Sequence, residues 1–127
     1  MKKQLTVEEI VNKVVEHYKT NPRGLNAEKR CVYITEAGAT CAVGLCCFKS
    51  KLKRLPESTL SSDVESLFRV AGEEILRPEF RGHELEFWET LQDLHDYDSN
   101  WYDTEGERRL TNKGKLVVES IINKYGI

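Results

Sequence analysis

The sequence predicts an α+β chain, mainly helical, with about four helices and one two-stranded β-hairpin, folded as a single domain over residues 1–127. Three observations predict it. Apolar residues recur with the 3.6-residue helical period in several separate segments. One β-branched and aromatic run, Cys31-Val-Tyr-Ile-Thr35, is followed by a Gly-bearing turn and a second short run. A chain of 127 residues, 39% hydrophobic and 31% charged, has the size and composition of one globular unit with a core of its own.

The first helix is the clearest element. Val7, Ile10, Val11, Val14, Val15 and Tyr18 form one apolar stripe, with Thr6 and Glu9 spaced as a capping box and Leu5 placed to staple onto Ile10. Asn21-Pro22 ends it, because the residue before proline is driven out of the α region. After a polar loop, Cys31 to Thr35 and Thr40 to Val43 read as the arms of a hairpin turned by Glu36-Ala-Gly-Ala39. Leu45 to Phe48 then reads as a short helix, followed by a basic stretch closed at Pro56. A second long helix is expected from a Ser62/Glu65 capping box, with Val64, Leu67, Phe68, Ala71 and Ile75 inward and Pro78 as its stop. A third covers about His83 to His95, with Phe87, Trp88, Leu91 and Leu94 inward. Residues 96–110 read as a long loop rich in Asp and aromatics, and loops of that length usually carry function or move. The last helix begins near Thr111, carries Leu116, Val117, Val118, Ile121, Ile122 and Tyr125, and meets a C-terminal cap at Gly126.

Charge narrows the partner classes. The net charge is −2, yet its distribution is uneven. Nine acidic residues and no Lys or Arg lie between Glu84 and Glu107, and four basic residues without an acid lie between Lys49 and Arg54. The acidic run allows a reading in which the 84–107 face meets a basic partner and weakens with salt. The basic stretch has no interleaved aromatics, so nucleic acid is disfavoured as a partner. No stretch approaches the roughly 18 apolar residues of a membrane span. Met1-Lys2-Lys3-Gln4 leads into an amphipathic segment without an apolar leader core, so no membrane association and a cytoplasmic location are expected. There the four cysteines, Cys31, Cys41, Cys46 and Cys47, are expected as packed, reduced thiols.

Candidate chemistry is sparse. Cys31, Cys41 and Cys46 could supply three thiolates to zinc, but the spacing C-x9-C-x4-C-C lacks the short knuckle usual in structural zinc sites. Asp96, Asp98, Asn100 and Glu107 occupy positions 1, 3, 5 and 12 of an EF-hand-like loop, with Trp101 where that loop requires glycine. His95 lies at the edge of the apolar stripe of its helix. His95-Asp96, with Asp98, could support a small metal-dependent hydrolase, although the further histidines and aspartates of such sites are missing upstream. No nucleophile elbow, P-loop or dinucleotide fingerprint occurs, so an enzyme is not the leading expectation and no catalytic residue is assigned.

Two sets of residues together carry a resemblance. Cys31-Val-Tyr33 … Gly38-Ala-Thr-Cys41-Ala-Val-Gly44-Leu-Cys46 forms the first. The second is Phe87-Trp88-Glu-Thr-Leu91-Gln-Asp-Leu94-His95-Asp96, Asn100-Trp101, Leu110-Thr111 and Gly114. Over roughly residues 30–114 the chain resembles a small family of phage and bacterial proteins of uncharacterised function. The doubled Cys46-Cys47 departs from that pattern. The resemblance implies a phage or prophage accessory protein that acts by binding a host protein or a small nucleotide-like ligand, with a counter-defence or host-takeover role.

The leading expectation is therefore a non-enzymatic binding protein, with Tyr33, His95, Asn100 and Trp101 as ligand or partner contacts where the hairpin meets the loop after His95. The alternatives are the zinc-stabilised interaction module and the hydrolase at His95 and Asp96.

Overall fold

A computed structural model describes residues 4–25, 32–104 and 107–126. Among them are seven α-helices, three short 3-10 turns and one antiparallel pair of strands, an α+β arrangement that is mainly helical, as the sequence predicts. In chain order the elements are α1 (Val7–Thr20), α2 (Ala42–Leu45), α3 (Lys49–Leu52), α4 (Glu57–Leu60), α5 (Val64–Ala71), α6 (Leu85–Asp96), β1 (Trp101–Thr104), β2 (Glu107–Leu110) and α7 (Asn112–Tyr125). No helix among the described residues is long and apolar enough to cross a membrane.

Helix α1 forms as its pattern dictates. The Thr6 hydroxyl accepts from the Glu9 N–H and the Glu9 carboxylate accepts from the Thr6 N–H, satisfying two of the four donors that a helix start leaves open. Val7, Ile10, Val11, Val14 and Tyr18 are buried. Helix α5 starts one residue later than expected. Asp63, not Ser62, caps it by accepting the Ser66 N–H at 2.8 Å. It also stops before Pro78, at Gly72, whose φ of +75° only glycine adopts without strain.

The hairpin lies elsewhere than the sequence predicts. Between Ile34 and Thr40 there is one isolated antiparallel bridge around a tight turn with Gly38 at φ +90°. The expected return strand is instead the start of α2. The reason lies in how the N–H groups at its start are satisfied. Cys41 Sγ accepts the Gly44 N–H at 3.3 Å, and Gln92 Oε1 from α6 accepts the Val43 N–H at 3.1 Å. Those caps complete a helix start that a strand could not use. Gly44 then packs so closely on the Tyr33 backbone that a methyl group would overlap its carbonyl oxygen.

The strands are β1 and β2, inside the segment read as a loop. Trp101 pairs with Leu110, Tyr102 with Arg109, Asp103 with Arg108 and Thr104 with Glu107. Among the described residues the sheet has these two strands, which is marginal alone, and it lies on α1 and α7. Arg108 Nη1 ties it down by donating to the carbonyl oxygens of Tyr18 (3.3 Å) and Asn21 (2.8 Å).

The core runs between α1, α2, α5 and α6. Phe87, Trp88, Leu91 and Leu94 of α6 are all buried, as their spacing predicts. The Trp88 ring stands edge-on to Phe87 and Phe68, the offset geometry that aromatic quadrupoles favour.

Candidate functional site

Burying one face of α6 turns the opposite side of the helix toward the segments at 32–34 and 60–64. Glu89, Gln92, Asp93 and Asp96 are spaced i, i+3, i+4 and i+7, which aligns them in a single polar row. Together with Val32, Tyr33 and the stretch from Leu60 to Val64 they line a cleft of about 380 Å³. Its walls carry four carboxylates, those of Asp63, Glu89, Asp93 and Asp96, and among the described residues its lining contains no Lys or Arg.

This row is locally unfavourable. Like charges three and four residues apart on a helix repel by a few tenths of a kcal/mol each, and Asp93 and Asp96 sit in the last turn, where the helix dipole favours cations. The Asp93 carboxyl is held above its ordinary pKa by partial burial and then by Asp96. Asp63 behaves in the opposite sense: the Ser66 N–H and hydroxyl stabilise its charged form and hold it below the ordinary value.

Tyr33 sits at the base of the cleft, 2% exposed. Among the described residues its hydroxyl has no hydrogen-bond partner, and the only fully enclosed side-chain polar atoms lacking one are Arg77 Nε and Asn100 Oδ1. The phenol belongs to the cleft lining and feels the charges of Asp63 and Asp96 on its walls. Burial raises its pKa strongly, with Cys41, Asp63 and Asp96 adding to the effect, so the hydroxyl is a protonated donor.

Behind the Asp96 wall, His95 is completely buried. The Gly24 N–H donates to its Nε2 at 3.1 Å, and its Nδ1 lies 2.8 Å from Asp96 Oδ1. Burial lowers the His95 pKa; the Asp96 bond works against that shift but does not overcome it. Arg23 clamps the end of the helix. Its Nε and Nη2 reach the His95 carbonyl oxygen at 3.0 and 2.6 Å, Nη2 also reaches that of Asp96 at 2.9 Å, and Nη1 pairs with Asp98 at 2.7 Å. These donors satisfy carbonyls that the last helical turn leaves open. Just beyond, Leu94 O accepts both from Asn100 Nδ2 (3.2 Å) and from Trp101 Nε1 (2.8 Å).

The four residues read from the sequence as contacts therefore divide. Tyr33 lines the cleft. His95, Asn100 and Trp101 are buried at 0%, 1% and 7% exposure, with His95 and Trp101 wholly engaged by neighbours and Asn100 held through its amide nitrogen. None of the three lines this cleft, and Trp101 lines a separate one with Arg23, Asp98 and Arg108. Of the cleft's other groups, Glu89, Gln92 and Asp93 show in the sequence only as a period-matched polar row on α6, and Asp63 only as a residue beside a helix start.

The cysteines are set in packing. Cys46 and Cys47 donate their S–H groups to the carbonyl oxygens of Ala42 (3.5 Å) and Val43 (3.3 Å). Burial pushes Cys41 and Cys47 up to about 12 and Cys46 well above its ordinary value. Cys31, the remaining member of the expected zinc set, lies outside the described residues, as do Glu105 and Gly106 of the calcium-loop reading. Among the described residues no three His, Cys, Asp or Glu side chains gather closely enough to hold a metal ion.

No family model, curated protein or solved structure matches this chain.

Proposed function

We propose that the chain is a non-enzymatic binding protein whose ligand or partner enters the cleft between α6 and residues 60–64. The observation that carries this reading is the buried Tyr33 hydroxyl, a donor without a partner among the described residues, in the lining of a cleft of small-ligand size. The neighbouring groups offer little to catalysis. Both His95 nitrogens are engaged, and the Cys46 and Cys47 thiols are protonated and donate to helix carbonyls. The setting is the one the resemblance implies, a phage or prophage accessory protein. Of the two ligand classes it implies, four carboxylates repel a nucleotide's phosphates and favour a segment of a host protein.

The test is an affinity capture from host extract with the wild-type chain and with Ser61→Trp, which fills the cleft from its exposed rim. A host protein retained by the first and released by the second is expected. Equal retention by both places the interaction elsewhere and overturns the proposal.

A further inference from the structure

We infer that the cleft receives an organic cation, the ammonium or guanidinium head of a basic side chain or amine, with Tyr33, Asp63, Asp93 and Asp96 around the charged head. This rests on the cleft being the ligand site and adds the chemical class of what fills it.

Three observations carry the inference. Asp63 approaches from the start of α5 while Asp93 and Asp96 project from the last turn of α6, so the negative charge comes from two separate elements and surrounds the space. Among the described residues the cleft lining holds no Lys or Arg, and Arg69, whose charge reaches Asp63, is itself paired with Glu65 at 2.5 Å. Finally, the buried Tyr33 in the cleft lining supplies a neutral oxygen without a partner among the described residues. A phenol oxygen can accept from an N–H⁺.

The class of cation follows from size and lining. A bare metal ion would need several donors converging within about 2–2.6 Å, and the described residues present no such set. A space of about 380 Å³ instead fits a charged head with its alkyl stem. Leu60 and Val64 offer the stem an apolar surface, as long basic side chains prefer. The cation would also relieve the repulsion along α6 and lie against the negative end of its dipole.

The experiment is a ¹⁵N–¹H NMR titration of the whole chain with n-butylguanidinium, n-butylammonium, neutral 1-butanol and n-butyrate. An arginine-containing tripeptide with blocked ends serves as a further probe. The two cations are expected to shift the amides of Tyr33, Asp63, Gln92 and Asp93 saturably, with the effect shrinking as salt rises. Asp93→Asn and Tyr33→Phe, both close in shape to the original residues, should each weaken binding about threefold or more while leaving distant resonances in place. A tripeptide that binds more tightly than the free guanidinium identifies a partner's side chain as the source. The reverse order identifies a free amine. Butanol or butyrate binding at the same amides as strongly as the cations would overturn the cation while leaving the cleft as a ligand site. Silence of every probe would overturn both.

Discussion

The backbone N–H of Gly24 donates to Nε2 of His95 across 3.1 Å, and that bond selects the imidazole tautomer. With a donor already facing Nε2, the ring proton belongs on Nδ1, where it donates to Asp96 Oδ1 at 2.8 Å. A second ring proton would set one N–H against another in a fully buried place.

A pH dependence follows, with a definite sign. The pKa of His95 is lower in the folded chain than its ordinary 6.5, so below that value the unfolded chain binds the extra proton and the folded chain resists it. Stability is therefore fully present above pH 6.5 and falls as pH drops below it, by up to about 1.4 kcal/mol per pH unit. His17, also lowered by burial and by Lys49, acts in the same sense. Urea midpoints at pH 7.5 and 5.5 should separate clearly for the wild type and less for His95→Gln. An equal separation in both would refute the assignment to His95.

Arg23→Lys should cost about 1.5–3 kcal/mol. A lysine cannot reproduce a planar fork that reaches two carbonyl oxygens and a carboxylate together. Thermal unfolding with far-UV circular dichroism measures the loss, and the downstream residues α6 presents to the cleft should loosen with it, seen as faster amide exchange near Asp96.

Trp101→Phe separates support from contact. Losing the bond to Leu94 O together with some packing should cost about 1–3 kcal/mol of stability. Binding of n-butylguanidinium should stay within about twofold of wild type, because the indole is not part of the cleft lining. A large loss of affinity in a variant shown to be folded would restore Trp101 as a direct contact.

Gly44→Ala should be among the most damaging small substitutions, about 3 kcal/mol or more, because the obstacle is the Tyr33 carbonyl and neither backbone can yield. Gly38→Ala is the contrasting case: space is open there but φ is +90°, so only about 1 kcal/mol of backbone strain is expected. Denaturant midpoints of the two variants give the comparison.

Thiol accessibility tests the packing of the cysteines. Brief treatment with iodoacetamide at pH 8 should leave Cys41, Cys46 and Cys47 unmodified in the folded protein, since the buried thiols stay protonated. In urea all four cysteines of the chain should react. Peptide mass spectrometry locates the label, and modification of Cys46 without denaturant would contradict the burial.

The long helices were legible because one stripe and one cap decide each of them: Thr6 and Glu9 for α1, Thr111 for α7. The hairpin was misplaced because the β-branched run from Val32 to Thr35 carries strong strand propensity, while the caps that turn Cys41 onward into a helix come partly from Gln92, about fifty positions away. Tertiary context overrode a local signal. β1 and β2 escaped notice for the opposite reason. Tyr-Asp-Thr and Glu-Arg-Arg are polar and largely solvent-facing, and their anchors, Arg108 on the Tyr18 and Asn21 carbonyls, are long-range. At the site, aromatic and polar density drew the eye to His95, Asn100 and Trp101. What separates them from Tyr33 is which side chains the fold brings into the cleft lining, and linear order does not encode it.

The bond from Arg108 to the end of α1 joins residues up to 90 positions apart, and the Arg23 clamp joins others 72 apart. The cleft likewise draws on positions 33, 63 and 93, so it exists only once distant parts of the chain have assembled. Occupancy then acts on the lifetime of the whole molecule. A ligand at about one hundred times its Kd adds about 2.7 kcal/mol to stability, roughly a hundredfold fewer opened copies offered to proteases at any moment. Copies that have found their partner would outlast those that have not, which turns a small acidic hollow into a control on abundance.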